Sequence, residues 1–124
     1  MSDTYRVDES LPVTVNLNEL VPGDHWVKSF FLKDGNGDAH PGVGDMEAYL
    51  VAKDRANGKT YLDLSVGNGI TRNVASGAFV IMATPTDTEG VDVSRLAYSF
   101  RIVDGDGIEK TFFDGFIPVN MGAR

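Results

Sequence analysis

The stretch RLAYSFRIVD at positions 95–104 decides the fold class, because its side chains alternate strictly between two kinds. Large apolar residues occupy every second position; they are Leu96, Tyr98, Phe100 and Ile102. The positions between them are small or polar: Ala97, Ser99 and Arg101. Since successive side chains of an extended chain point to opposite sides, this pattern predicts a half-buried β-strand with one face on a core.

A turn signal and a second apolar stretch follow this strand. The turn signal is DGDG at 104–107, and the stretch is IEKTFFDGFIPV at 108–119. Asp-Gly pairs are common in tight hairpin turns, because glycine adopts a positive φ at no steric cost. We therefore expect an antiparallel hairpin with a positive φ at Gly105 or Gly107. The pair Asp114-Gly115 predicts a β-bulge in the second strand.

Similar apolar segments recur along the rest of the chain. They are LPVTVNL (11–17), HWVKSFFLK (25–33), KTYLDLSV (59–66), a short piece around Ile70, and AFVIMAT (78–84). In KTYLDLSV the alternation places Leu62, Leu64 and Val66 on one side, and we expect them on a strand next to 95–104. Seven or eight short strands separated by Gly-rich turns predict an all-β fold, an immunoglobulin-like antiparallel β-sandwich.

Two segments have less regular patterns. The segment DMEAYLVAKDRANG (45–58) fits a helix that Asp45 caps and Gly58 ends, or a strand in which Met46, Ala48, Leu50 and Ala52 alternate with polar and mixed residues. The strand leaves a half-buried surface that fits the neighbouring segments better, and we favour it. The segment TDTEGVDVS (86–94) predicts one helical turn, since Thr86 and Glu89 have capping-box spacing.

The length and composition indicate one globular domain preceded by a polar N-terminal arm. The chain has 124 residues, of which 42% are hydrophobic and 23% charged, the balance of a folded domain that can bury its own core. Residues 11–124 are predicted to form a single β-sandwich domain. Residues 1–10 are polar, and a polar segment gains too little from burial to offset its ordering entropy. They predict a flexible or intersubunit N-terminal arm.

The charge and the missing cysteine limit the partners and the chemistry. Lys and Arg total 11 against 18 Asp and Glu, so the net charge is −7, which opposes binding to phosphate backbones. Without cysteine, the chain forms no disulfide, zinc–thiolate site or cysteine nucleophile. The N-terminus has no apolar signal core, and runs such as FVIMA are too short to cross a bilayer. We expect a soluble protein made in a cytoplasm, with no nucleic-acid or membrane partner.

The stretch FLKDGNGDAH (31–40) has the spacing of a calcium loop. Four residues fall at the ligand positions of such a loop: Asp34, Asn36, Asp38 and Asp45. The sixth position is Ala39, where the calcium loop needs glycine, and the segment before the loop has the pattern of a strand. A tight turn explains the same residues, so we expect a turn, no metal and no cofactor. The loop at 104–107 has no third or fourth ligand in register and predicts a hairpin.

Signatures of catalysis are absent from the sequence. It contains no G-x-S-x-G elbow, no phosphate-binding glycine loop and no H-E-x-x-H helix. The two histidines, His25 and His40, stand beside Trp26 and in a Gly-rich loop, where packing or exposure explains them. Eighteen acids on a small chain produce pairs of carboxylates by chance, so a glycosidase pair is not indicated. We expect no enzyme activity.

Several aromatic residues cannot all face one core. Phe30 and Phe31 are adjacent, as are Phe112 and Phe113, so one of each pair faces away in a strand. Such residues either lie singly under loops or form a face that docks another subunit. We favour docking. The interface candidates are Tyr5, Val7, Phe31, Tyr49 and Phe112.

From about Gly23 to the C-terminus, the chain resembles the small immunoglobulin-like β-sandwich domains of tailed-bacteriophage virion proteins. The resemblance is carried by GDHWVKSFFLKDGNGDA, MEAYLVAKDRANGKTYLDLSVGNGI, SGAFVIMAT and LAYSFRIVDGDGIEKTFFDGFIPV. Members include tail-tip collar proteins that hold side tail fibres, and domains of baseplate and tail proteins. The resemblance implies a virion part that assembles in rings or other multimers, without a cofactor. It carries over no functional residue, since the family has no site motif to match.

The first functional hypothesis is therefore a structural component of a tailed-phage virion, assembled in the host cytoplasm. It would be a multimeric tail or tail-tip adaptor, a collar or connector, whose partners are its own copies in a ring and other virion proteins such as side fibres. One alternative is a capsid-decorating (cement) or head–tail protein. An alternative of another class is a calcium- or glycan-binding β-sandwich module that uses the Gly- and Asp-rich loops.

Overall fold

The computed structural model describes residues 2–6, 13–14, 16–33, 36–40, 42–55 and 58–123, with side chains for 16–33, 36–40, 42–55, 58–111 and 113–122. Within these residues the strands are β1 (Ser2–Arg6), β2 (Val13–Thr14), β3 (Trp26–Lys33), β4 (Glu47–Lys53), β5 (Thr60–Val66), β6 (Gly69–Asn73), β7 (Ala78–Ala83), β8 (Arg95–Val103) and β9 (Glu109–Pro118). The short helix α1 spans Pro85–Thr88, and single 3₁₀ turns span Val43–Asp45 and Met121–Ala123.

The strands form one hydrogen-bonded sheet in the order β1-β3-β7-β6-β5-β4-β8-β9-β2. The sheet folds over at β5 and β6, which share only the pairs Ser65↔Gly69 and Val66↔Ile70. Positive φ angles of 87° at Gly67 and 95° at Gly69 turn the chain there. The fold produces a first layer of β1, β3, β7 and β6, and a second layer of β5, β4, β8, β9 and β2. The all-β, sandwich-like fold predicted from the sequence is confirmed.

Stacked aromatic rings join the two layers. The ring centroid of Phe30, on β3, lies 4.6 Å from that of Phe100 on β8 and 4.9 Å from that of Phe113 on β9. Phe79, on β7, meets Phe100 edge-on at 5.9 Å. Because all four side chains are at most 1% exposed, they form the centre of the core.

The inward-facing side chains of β8 are confirmed, but the strand predicted to lie next to β8 is wrong. Leu96, Tyr98, Phe100 and Ile102 are all at most 3% exposed. Leu62 and Leu64 are also buried, while Val66 is half-buried. Their strand β5 does not pair with β8, because β4 lies between them and pairs with both. The strand interpretation of 45–58 is thus correct over Glu47–Lys53, and the helix alternative is wrong.

The antiparallel pattern has exceptions that the sequence did not predict. Among the described residues, β1–β3, β2–β9 and β5–β6 pair in parallel. The first two lie at the two ends of the sheet, where a short strand pairs with an edge that would otherwise present unpaired N–H and C=O groups. The third is the corner between the layers. Of the predicted strand LPVTVNL, the structure shows only Val13–Thr14 as β2.

The predicted bulge is displaced by two residues. Phe100 pairs with Phe113 and Arg101 with Thr111, so Phe112 is the extra residue of the ladder. The pair Asp114-Gly115, where the bulge was expected, stays in register with β8. The physical reason is the double phenylalanine: one extra residue lets Phe113 face the core while Thr111 still pairs with Arg101.

The helical turn near residue 86 is confirmed with different capping residues. Thr84 caps α1, and Pro85 occupies its first turn, a position that proline favours. The N–H of Thr84 donates to Asp87 Oδ2 at 2.9 Å, and the N–H of Asp87 donates to Thr84 Oγ1 at 3.3 Å. The capping box therefore lies two residues before the predicted pair Thr86 and Glu89.

The N-terminal segment joins the chain's own sheet. Residues 1–10 were predicted as a flexible or intersubunit arm, but Ser2–Arg6 forms β1 and pairs with Ser29–Lys33 of the same chain. The outer edge of β3 supplies the backbone hydrogen bonds that order this polar segment. Residues 1 and 7–10 lie outside the described residues. Pairing of β1 with a second copy in an assembly stays a prediction.

Candidate interaction surfaces

The loop with calcium-type spacing is built as a turn. Lys33 and Ala39 form an isolated antiparallel bridge, the N–H of His40 donates to Leu32 O at 3.0 Å, and Gly37 has a φ of 84°. Asn36 and Asp38 are exposed, while Asp34 lies outside the described residues. Asp45 is exposed in the 3₁₀ turn that follows. In the described part of the chain, no three His, Asp or Glu side chains cluster closely enough to hold a metal ion.

The loop between β8 and β9 is the predicted hairpin. The Asp104 carboxylate accepts hydrogen bonds from the N–H of Asp106 at 2.9 Å and of Ile108 at 3.0 Å. Gly107 has a φ of 82°, and its N–H donates to Asp104 O at 3.0 Å. The alternative left open, Gly105, has no positive φ. Residues 105–110 are all exposed, so the end of this hairpin lies at the surface of the sandwich.

The histidines have structural surroundings. His40 is half-buried, and its Nδ1 accepts a hydrogen bond from the N–H of Gly42 at 3.0 Å. His25 is exposed, while its neighbour Trp26 is 2% exposed and donates Nε1–H to Asn18 O at 3.1 Å. His40 thus holds the loop before the 3₁₀ turn, and Trp26 anchors the segment before β3.

The outer side of the first layer is an apolar face, formed by Val27, Phe31, Val80 and Met82. Val27 and Met82 are cross-strand partners, exposed by 42% and 44%. Phe31 and Val80 are half-buried, and the Lys33 ammonium lies 5.9 Å from the centre of the Phe31 ring at the rim. The interface candidate Phe31 therefore faces outward, as predicted, within a group of apolar neighbours.

The outer side of the second layer contains a basic groove. It is lined by Val51, Lys53, Arg55, Ala97, Tyr98, Ser99 and Arg101, with a volume of about 510 Å³. In the ladder between β4 and β8, Lys53 pairs with Ala97, Val51 with Ser99, and Tyr49 with Arg101. The small side chains of Ala97 and Ser99 therefore leave a depression between longer cationic side chains.

The charges of the basic groove are arranged along its length and its flanks. The Arg101 guanidinium contacts Glu109 at 2.8 Å and lies 5.6 Å from the centre of the Tyr49 ring. Lys53 and Arg55 make no ion pair with any described residue. Asp63 pairs with Val51 on one flank, and Asp114 pairs with Ser99 on the other. The cations thus follow the groove, and carboxylates border it.

Two further contacts fix the rim of the second layer. The Arg95 guanidinium lies 4.2 Å from the centre of the Phe116 ring, which is 39% exposed. Tyr61 donates its hydroxyl to Asp92 Oδ1 at 2.6 Å, and this hydrogen bond to a carboxylate raises the pKa of Tyr61 to about 12. Tyr61 therefore stays a neutral donor across the physiological range.

The interface candidates do not form one site. Tyr49 faces outward on the second layer and Phe31 on the first, so the sandwich separates them. Tyr5 lies in β1 opposite Leu32, Val7 is outside the described residues, and Phe112 is the extra residue of the β9 ladder. No pattern in the sequence predicted the basic groove. Its only local signal is a pair of small residues, Ala97 and Ser99, at outward positions of a strand otherwise rich in large ones.

Comparison with known proteins supplies a fold relationship. No protein-family model matches this chain, and no curated protein sequence matches it. Among the helices of the described residues, none is long and apolar enough to cross a membrane. Eleven chains of solved structures match. One is the N-terminal domain of phage TP901-1 ORF48, with a TM-score of 0.52, 15% sequence identity, and coverage of 96% of each chain. The two chains share a fold along nearly their whole length.

Proposed function

We propose that this chain is a structural component of a tailed-phage virion. It acts as a multimeric tail or tail-tip adaptor that docks other virion proteins. The observation that carries the proposal is the shared fold with a domain of a phage protein, over 96% of both chains. The sequence resemblance to phage β-sandwich domains points to the same class.

The surface of the sandwich supports a docking role. An adaptor needs at least two surfaces for two neighbours, and the apolar face and the basic groove lie on opposite sides of one core. Exposed apolar side chains in a contiguous group are typical of protein interfaces. Val27 and Met82 form such a pair at the centre of the apolar face.

The use of the polar side chains favours a structural role over catalysis. Carboxylates that could serve chemistry are instead engaged in local structure: Asp87 in the capping box, Asp104 in the hairpin turn, and Asp92 with Tyr61. Glu47 binds Arg72 at 2.9 Å, and the same guanidinium donates Nε–H to Met46 O at 2.8 Å. These contacts stabilise loops and strand ends.

A glycan-binding role is less well supported by the second layer. Sugar rings stack on exposed aromatic faces, but guanidinium groups lie against the rings of Tyr49 and Phe116. Capsid decoration stays an alternative, because a sandwich with two docking faces suits both positions.

Immunogold electron microscopy of the phage particles that encode this chain tests the proposal. Antibodies against the purified chain are expected to label the tail or its tip. Label on the head would favour the decoration alternative. Particles without label, alongside labelled free protein in the lysate, would contradict a virion role.

A further inference from the structure

We propose that the basic groove of one copy binds the hairpin tip of a second copy, so that copies associate head to tail. The hairpin tip is residues 105–108, the exposed end of the β8–β9 hairpin. This inference rests on the proposed function, in which copies of the chain associate, and it names the surfaces that meet.

The basic groove has the properties of a receptor for an acidic segment. Its volume of about 510 Å³ lies within the range of roughly 300–1,000 Å³ that is common for ligand sites. Lys53 and Arg55 make no ion pair with the described residues, although the chain carries 18 acids against 11 cations. Neighbouring like charges repel each other, so an anion between them lowers the free energy of the bound state.

The hairpin tip has the properties of the matching ligand. Asp106 carries an exposed carboxylate between two glycines, and Ile108, two residues on, is 54% exposed. The Asp104 carboxylate holds the turn through two backbone hydrogen bonds, so the tip is already ordered. A preordered loop loses less conformational entropy on binding than a flexible one does. Its apolar Ile108 also has a counterpart in Val51 and Ala97 of the groove.

Five other acidic side chains are already engaged or belong to the groove itself. The carboxylates of Asp87, Asp92 and Glu47 are occupied by the capping box, Tyr61 and Arg72. Asp63 and Asp114 belong to the flanks of the same groove. The Asp106 carboxylate, in contrast, accepts no hydrogen bond from the described residues and is exposed.

The positions of groove and tip require two copies. Ala97 lies in the groove, and β8 continues for six more residues to Val103 before the tip begins. Six residues of a strand span roughly 20 Å, so Asp106 cannot reach the Lys53 end of the groove in its own chain, whose other end, at Arg101, is held by Glu109. The contact therefore joins different surfaces of two copies. Such a contact closes into a ring if the rotation between copies permits, and continues as a filament otherwise.

The contact also offsets the electrostatic repulsion between two negatively charged copies. Each copy carries a net charge of −7, so two copies repel each other unless opposite local charges meet. Since the groove and the tip are exposed, salt is expected to screen their attraction. We therefore expect association at low ionic strength and weaker association at about 0.5 M salt, where the Debye length is only about 4 Å.

Charge exchange between the two surfaces tests the inference by sedimentation velocity. Lys53→Glu reverses the groove, and Asp106→Lys reverses the tip. Each variant alone is expected to lose the oligomer that the wild-type chain forms. An equimolar mixture is expected to recover association, because the basic tip of one variant meets the acidic groove of the other. If circular dichroism shows that Lys53→Glu does not fold, Arg55→Glu reverses the charge of the same groove and repeats the test.

Matched controls carry the same changes of charge elsewhere. Lys33→Glu lies on the first layer, and Glu89→Lys follows α1; both are expected to associate as the wild-type chain does. A wild-type chain that is monomeric at low salt would overturn the inference. So would an oligomer that survives both reversals, or a mixture that fails to recover. Immunogold labelling decides the virion role separately, so a phage component that does not associate through this contact remains recognisable.

Discussion

The outer sides of the two layers differ in chemistry, although their inner sides share one core. On the first layer, β3 and β7 present the apolar face, in which Val27 and Met82 are exposed. On the second, β4 and β8 present the basic groove, with Lys53 and Arg101 on either side of small residues. The inner sides of both layers contribute phenylalanines, whose rings stack against each other in the core. Stability thus depends on side chains that the two layers share, while the outer sides are free to suit different neighbours.

The largest expected effect tests the shared core. Phe100→Ala removes the ring that contacts Phe30, Phe79 and Phe113, and it is expected to lower the free energy of unfolding by about 3–5 kcal/mol. Chemical denaturation measures the loss. Phe116→Ala, at a site that is 39% exposed on the outer side, serves as the matched control and should cost much less. A loss below about 1 kcal/mol for Phe100→Ala would place the core elsewhere.

The next effect concerns a close backbone approach in the first layer. Gly77 has a φ of 69°, and a Cβ there would lie 2.7 Å from Leu32 O and 3.0 Å from His40 N. Gly77→Ala is therefore expected to cost about 2–3 kcal/mol, more than backbone strain alone. Gly107→Ala, with a φ of 82° and open space around it, should cost only about 1 kcal/mol. Equal losses in thermal melts would show that the close approach does not matter.

A smaller effect separates docking from stability on the apolar face. Val27→Ser and Met82→Ser change side chains that are already exposed, so each should alter the free energy of unfolding by no more than about 0.5 kcal/mol. Binding of partner virion proteins, followed by co-sedimentation with phage particles, should weaken. Wild-type binding in both variants would remove the apolar face from the docking surfaces. A large loss of stability would mean that the pair belongs to the core.

The smallest effect is a titration on the rim of the second layer. The hydrogen bond to Asp92 favours the neutral phenol of Tyr61 and raises its pKa from 10.0 to about 12. Because the pKa is raised in the folded state, the stability that the Tyr61–Asp92 hydrogen bond contributes is fully present below pH 10. It is lost as the pH rises through about 12. Ultraviolet absorbance, compared between the wild-type chain and Tyr61→Phe, should show the phenol of Tyr61 ionising near pH 12. Asp92→Asn should bring that pKa down, and an unchanged titration curve would contradict the assignment.

Much of the fold was predictable because strands and turns have local signals. The alternation in β8 placed Phe100 and Ile102 inward, and the Asp-Gly turn required a glycine with positive φ, which is Gly107. The same rule places Lys28 on the inner side with Trp26 and Phe30, where it is only 3% exposed. A period of two fixes the side of the sheet even for a charged residue.

The predictions from sequence that proved wrong concern relations between distant segments. The strand next to β8 is β4 and not β5, because sheet order depends on which edges meet after the chain folds back. The extra residue of β9 is Phe112, since the register of two strands is a joint property of both ladders. Among the interface candidates, Phe31 and Tyr49 have described side chains, and both face outward. They lie on opposite layers, so they cannot belong to one interface.

Local sequence patterns were enough to predict where the strands run, which side of β8 is buried, and where the hairpin to β9 turns. These features depend on side-chain period and on glycine conformation, which act within a few residues. The strand order, the parallel edge pairing of β1 and the basic groove depend instead on contacts between distant segments. The groove arises because β4 and β8 pair in the register that sets Lys53 beside Ala97 and Val51 beside Ser99. That register depends on the long-range packing of both layers, so it cannot be predicted from the sequence pattern of either strand.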